Sequence, residues 1–120
     1  MATTKDDVEQ YLKELRFKIG MWGILIRDDR SKNAQSLHDL EIPPNQRKEI
    51  IAQLTPEDYY QGPLEEKMHG ILPMWVFGKV VKGKEIYIKI SMGHPNSQAI
   101  CISFHVAEQF IVYPFKKKKL

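Results

Sequence analysis

The chain has 120 residues, of which 42% are hydrophobic and 28% are charged, and it contains a single cysteine, Cys101. These values fit one globular domain with a hydrophobic core, and they exclude a chain that is disordered as a whole and an internal disulfide. The net charge is +3, and the run Lys116 to Lys119 more than accounts for it. We therefore expect one domain over residues 1–115 and a basic tail over 116–120, which is either a weak contact for phosphate backbones or a solvated end.

The first ten residues, MATTKDDVEQ, carry three carboxylates where a secretory signal needs an apolar run. The longest apolar stretches are also far shorter than a segment that spans a bilayer. The sequence therefore predicts a soluble, cytoplasmic protein with no membrane partner.

The N-terminal half is predicted to be mainly helical. Asp6 to Leu15 places apolar residues at helical spacing behind two aspartates, which predicts a first helix. Phe17 to Ile26 is β-prone and interrupted by two glycines, so it predicts a strand or a bent hairpin. A charged loop over Arg27 to Asn33 and a short helix over Asn33 to Leu40 are expected next. Pro44 then opens a helix of about three turns.

The C-terminal half predicts strands. Met74 to Val81, Glu85 to Ser91 and Ala99 to Val106 are β-rich runs, and the short connectors between them have turn chemistry. Consecutive strands with short connectors form an antiparallel meander. The predicted fold class is α+β, with N-terminal helices packed on one face of a C-terminal antiparallel sheet of four to six strands.

Less regular segments flank this meander. The stretch TPEDYYQGP predicts a turn at Thr55-Pro56 and an edge strand through Tyr59 and Tyr60, followed by a surface loop over Leu64 to Pro73. Phe110 to Phe115 is expected to add an edge segment, because its proline cannot sit in the centre of a sheet.

Two of the predicted strands have sharply different faces. A period of two indicates a strand with one buried and one exposed side. The predicted core face carries Ile86, Ile88, Ile90, Ile100, Ile102 and Phe104. The opposite face carries Tyr87, Lys89, Cys101, Ser103 and His105, with no carboxylate among them, and a short hairpin loop keeps these side chains within cross-strand reach.

The polar residues on this open face match the needs of metal-free RNA cleavage. When a ribose 2′-OH attacks the adjacent phosphate, one group must accept its proton and another must protonate the leaving oxygen. His105 suits proton transfer, Lys89 suits a phosphate, and Tyr87 suits proton donation or base stacking. The hairpin lysines Lys79, Lys82 and Lys84 are expected to extend the cationic rim. An ordinary solvated sheet face is the alternative interpretation of the same residues.

Other chemistries have little support in the sequence. The four histidines show no spacing typical of zinc ligands, so we predict neither a metal nor another cofactor. Cys101 is expected on the same face as His105, but a cysteine–histidine pair without a third positioned group is more often incidental than catalytic.

Three blocks of the sequence resemble a known family. LTPEDYYQGP, MWVFGKVVKGKEIYIKI and AICISFH, between Leu54 and His105, are similar in order and spacing to the MqsR-type toxins of bacterial type II toxin–antitoxin modules. Those toxins resemble the RelE superfamily of small ribonucleases. The resemblance implies a RelE-like fold and an mRNA interferase that cuts mRNA without a metal and is silenced by an antitoxin protein.

The same resemblance implies roles for individual residues. The tyrosine and lysine of the family's Y-[IL]-K strand fall on Tyr87 and Lys89, and the basic residue that ends the last strand falls on His105. A family lysine after the D-[FY]-Y block corresponds to Gln61, so this chain departs from the pattern there. With Ser103, these residues form the expected RNA site. The alternative function is a non-catalytic domain that binds protein or nucleic acid through the same face, as a degenerate toxin homologue would.

Overall fold

The computed structural model describes residues 2–27, 42–67 and 70–116 of the chain. Within these ranges lie two α-helices, one 3-10 helix and five strands. They are α1 (Lys5–Trp22), β1 (Ile24–Ile26), α2 (Pro44–Ala52), the 3-10 helix (Pro56–Asp58), β2 (Tyr59–Leu64), β3 (Met74–Val81), β4 (Lys84–Ser91) and β5 (Ala99–Val106). The α+β class predicted from the sequence is confirmed. The predicted helix over 33–40 and most of the predicted loop at 27–33 lie outside the described residues.

Helix α1 begins at a capping box. The Thr4 side chain accepts a hydrogen bond from the Asp7 N–H, and the Asp7 carboxylate accepts one from the Thr4 N–H, so two otherwise unpaired donors are satisfied. The helix does not stop at Leu15 but continues to Trp22. Its buried residues, Val8, Tyr11, Leu12, Leu15 and Ile19, follow helical spacing.

The prediction of a strand over residues 17–26 is therefore wrong for its first six residues. Ile19 continues the buried stripe of the helix. The Phe17 side chain is 72% exposed, so this apolar residue was not a sign of a buried strand. Gly20 is tolerated inside the helix, whereas Gly23 ends it with a φ of 84° and an N–H bonded to the Ile19 carbonyl. Only Ile24–Ile26 form a strand.

The strands form one mixed sheet with the order β1-β5-β4-β3-β2. Strands β3, β4 and β5 make the predicted antiparallel meander, and β2 is the predicted edge strand. The prediction of a wholly antiparallel sheet is wrong, because β1 pairs with β5 in parallel. That pairing joins residues about 75 positions apart in the sequence, so no local sequence pattern predicts it.

The helices cover one face of this sheet. Ile86, Ile88 and Ile90 of β4 are fully buried on that face, as predicted, and they pack with Phe77 and Phe104 on the neighbouring strands. Helix α2 adds two further contacts to the same core. Ile51 is buried in it, and the buried guanidinium of Arg47 lies 5.7 Å from the centre of the Phe104 ring.

A β-bulge changes which residues of β5 face the core. Ser103 lies opposite Lys89, but the next pair is Cys101 opposite Ile90, so Ile102 is an extra residue on β5. The bulge reverses which side chains face the core in the residues of β5 that precede Ile102. Cys101 is consequently buried in the core, whereas Ile100 and Ile102 lie on the open face with Lys89. The prediction that Ile100 and Ile102 face the helices, and that Cys101 shares a face with His105, is wrong.

The segment after β5 does not add the predicted edge segment to the sheet but crosses the open face as an irregular chain. Ile111 and Tyr113 lie over Gly78, and Phe115 stacks on Tyr59 of the core at a ring distance of 5.3 Å. Strand β3 extends beyond its last β2 partner at Phe77, so this end of β3 is open for the segment to pass.

Gly78 is the residue that allows this crossing. A Cβ atom at Gly78 would lie 2.5 Å from Tyr113 Oη and 2.7 Å from Ile111 Cδ1. We expect Gly78→Ala to lower the free energy of unfolding by about 1–3 kcal/mol, as overpacking usually does. Chemical denaturation measures this change. Gly20→Ala is the matched control, because its Cβ meets nothing within 4 Å, and it should raise the stability by up to about 1 kcal/mol. Equal stability of the Gly78 variant and the wild type would contradict the packing described.

Candidate functional site

The open face of the sheet brings together the four polar residues that the strand pattern placed there. Tyr87 lies directly opposite His105, and Lys89 lies directly opposite Ser103. They line one cleft of about 260 Å³, which we call the open-face cleft. Its lining residues are Tyr60, Tyr87, Lys89, Ser103, His105, Glu108, Gln109, Phe110 and Ile111.

The rings and the cation in this cleft are closely packed. The Tyr87 and His105 rings stack with centroids 5.2 Å apart and planes 16° apart. The Lys89 ammonium lies 5.9 Å from the centre of the Tyr87 ring, at the distance of a cation–π contact. A hydroxyl, an imidazole and an ammonium group therefore lie within one small volume.

A backbone contact defines the tautomer of His105. Its Nδ1 lies 2.9 Å from the carbonyl oxygen of Val106, and a carbonyl oxygen only accepts hydrogen bonds. Nδ1 therefore carries a proton and donates it to this bond. In the neutral ring, Nε2 then keeps a lone pair that is able to accept a proton.

Tyr60 also lines the cleft, although it was not among the residues predicted for the site. Strand β2 has a register shift in which Tyr59 lies opposite Phe77 and Gln61 lies opposite Val76, so Tyr60 is the extra residue. Tyr59 faces the core, and Tyr60 reaches the open-face cleft. Gln61 lies in the same cross-strand row as Lys89 and Ser103, with Val76 between it and Lys89. The two adjacent tyrosines, Tyr59 and Tyr60, were the sequence signal that one aromatic ring faces the core and the other faces the open side.

The expectation of a face without carboxylates is wrong. Glu108 lines the cleft, and Glu85 lies on the open face, where its two carboxylate oxygens accept hydrogen bonds from Tyr113 Oη (2.9 Å) and the Ile111 N–H (3.3 Å). Burial, this hydrogen bond and the nearby negative charges of Glu85 and Asp58 raise the pKa of Tyr113 above its usual value. The Tyr113 phenol therefore stays protonated and keeps its role as a donor.

None of the three lysines that were predicted to form a cationic rim lines the open-face cleft. Lys79 lies opposite Ile86 and thus on the helix-covered side, where its ammonium pairs with Asp58 at 3.3 Å. The prediction that Lys79 extends the cationic rim is therefore wrong, because the alternation of β3 places this residue on the opposite face from Tyr87. Lys82 and Lys84 are exposed at the β3–β4 turn, where Lys82 and Gly83 both have positive φ.

A second and larger depression lies beside the cleft on the same face. It has a volume of about 810 Å³, and its apolar part is formed by Leu25, Ile71, Met74, Ile100 and Ile102. Lys89 lines both depressions. The bulge in β5 creates this apolar surface by turning Ile100 and Ile102 away from the core.

Comparisons with protein-family models, curated proteins and solved structures give no match. Among the described residues, no group of three or more histidine, cysteine, aspartate or glutamate side chains is placed to hold a metal ion. No helix in the described ranges combines the length and the apolar composition that a membrane span requires. The candidate site is thus defined by its own geometry.

Proposed function

We propose that the protein is an endoribonuclease of the toxin type, an mRNA interferase that acts in the cytoplasm and cleaves through the ribose 2′-OH. The observation that supports this most strongly is the His105 tautomer within the open-face cleft. The Nε2 atom with its lone pair lies beside a phenol and an ammonium group. Together these groups can supply the base, the acid and the positive charge that the reaction needs. The proposal includes the RelE-like arrangement and the antitoxin partner that the family resemblance implies.

The proposed reaction assigns one step to each side chain. Nε2 of His105 accepts the proton of the 2′-OH as that oxygen attacks the adjacent phosphorus. Lys89 stabilises the negative charge that develops on the phosphoryl oxygens. The bond between phosphorus and the 5′-oxygen breaks, and the Tyr87 hydroxyl protonates that oxygen. The products are a 2′,3′-cyclic phosphate and a free 5′-OH, and proton exchange with water restores both side chains.

Binding without cleavage is the second candidate function. Gln61 stands where the resemblance implies a lysine, and a carboxylate, Glu108, borders the cleft. Both features lower the positive charge available to a phosphate in the transition state. A domain that only holds RNA or a partner protein would use the same surface.

Expression in a bacterial host tests which function applies. The wild-type protein, induced alone, should arrest growth and shorten cellular mRNA, because an unopposed interferase destroys transcripts. Co-expression of a small adjacent gene, where the genome carries one, should restore growth through direct binding. Transcript length by Northern blotting and growth by optical density are the two measurements. Normal growth with intact transcripts, at a protein level verified by immunoblotting, would favour the non-catalytic function.

A further inference from the structure

The segment after β5 holds a short loop against the open-face cleft. The Ala107 N–H donates to the Glu85 carbonyl at 2.9 Å, and the Glu85 carboxylate accepts hydrogen bonds from the Ile111 N–H and from Tyr113 Oη. Glu85 therefore anchors the chain on both sides of residues 108–110. Because the two ends are fixed, the loop has a defined position beside His105.

Phe110 is the exposed residue at the tip of this loop. Its side chain is 95% exposed, whereas the next residue, Ile111, is 8% exposed and anchors the segment. Phe110 lines the cleft together with Tyr60 and Tyr87, so three aromatic side chains border the same small volume. A phenyl ring offers no hydrogen bond, and its flat face is suited to stacking against another ring.

We infer that Phe110 is a stacking platform for the base of an unpaired nucleotide next to the cleaved phosphodiester. This inference rests on the proposed ribonuclease function and specifies its substrate as single-stranded RNA. The cleft has a volume of about 260 Å³, and the exposed Phe110 ring lies at its edge. A base that stacks on this ring is one that is splayed out of a helix, as in other single-stranded RNA sites where bases stack on aromatic side chains.

Stacking on a phenyl ring also predicts tolerance of the base at this position. Every base has a flat π face, so an apolar ring holds purines and pyrimidines without a hydrogen-bond code. Any selection of the base at this position must therefore come from other residues on the open face of the sheet. The role of Glu85 is positional, since it holds the loop and does not line the cleft.

Binding of fluorescein-labelled single-stranded RNA, measured by anisotropy, tests the inference. All variants carry His105→Ala so that the RNA stays intact. Adding Phe110→Ala should weaken binding roughly 5- to 150-fold, the range for loss of one stacked base. Adding Phe110→Trp should keep the affinity within about 2-fold or increase it. Val112→Ala is the matched control, because Val112 is exposed two residues away and lies outside the cleft, and it should change affinity by less than about 2-fold.

A 2-aminopurine placed beside the cut site gives a second readout. Its fluorescence should be quenched by the parent and by the Trp variant but not by the Ala variant, and a duplex of the same sequence should bind more weakly than the single strand. The parent is the protein that carries His105→Ala alone. Equal affinity of this parent and the variant with Phe110→Ala added would overturn the inference. In that case, cleavage of RNA by the wild type would still support the proposed function. Phe110-dependent binding without any cleavage by the wild type would overturn the ribonuclease function alone. A parent that binds no single-stranded RNA would overturn the stacking role.

Discussion

Replacing His105 with alanine should lower the rate of RNA cleavage by a factor of about 10²–10⁴ while the protein stays folded. The physical reason is the loss of the base at Nε2, whose lone pair is fixed by the Nδ1 bond to the Val106 carbonyl. Single-turnover cleavage of an end-labelled RNA measures the rate, and thermal melting checks the fold. Because alanine leaves a space beside Tyr87, added imidazole should restore part of the activity.

His94→Ala is the matched control for this experiment. His94 is exposed and lies outside the open-face cleft, so its loss should leave the cleavage rate within about 2-fold of the wild type. A folded His105→Ala protein that cuts as fast as the wild type would remove the role assigned to the imidazole. A loss of activity with both histidine variants would indicate a general effect on the fold or the surface and not a specific proton transfer.

Much of the sheet was predictable because its strands have strong local patterns. The bounds of β3 and β5 match the predicted runs, and β4 differs by one residue. Each run combines β-branched residues with short turn-forming connectors, so local propensity and tertiary structure agree. The same agreement holds for α2, where Pro44 marks the first turn.

The errors arose where tertiary contacts outweigh local propensity. The residues from Phe17 to Trp22 have β-prone composition, but the buried stripe of α1 continues through Ile19 and keeps them helical. The error at Lys79 is different, because the alternation of β3 from the buried Phe77 already places Lys79 on the helix-covered side, opposite Ile86. Only its ion pair with Asp58, which is distant in sequence, depends on the folded chain.

The candidate site was half predictable for a related reason. Tyr87 and His105 share a face because β4 and β5 alternate regularly over those residues. The bulge at Ile102 inverts the alternation before Ser103, and no residue type marks a bulge of this kind reliably. Glu108 and Phe110 reach the cleft through a non-local route, since Gly78 and Glu85 position the C-terminal segment that carries them. The strand pattern therefore predicted the site residues on β4 and β5 but not those on the C-terminal segment.

The second large expected effect concerns the substrate and not the protein. If the attacking group is the neighbouring 2′-OH, a single 2′-deoxyribose at the cut site should abolish cleavage there, because no nucleophile remains. The cut site is first mapped on a long transcript by primer extension, and two synthetic oligonucleotides that differ only in that sugar are then compared.

Analysis of these two reactions by mass spectrometry is the most direct test of the proposed function. We predict that the all-RNA oligonucleotide is cut, in the presence of excess chelator, to a product ending in a 2′,3′-cyclic phosphate and a partner with a free 5′-OH. We predict that the deoxy-substituted oligonucleotide stays intact at that position. Cleavage of both at equal rates, products with a 3′-OH and a 5′-phosphate, or complete loss of activity in chelator would contradict a metal-independent attack by the 2′-OH in the open-face cleft.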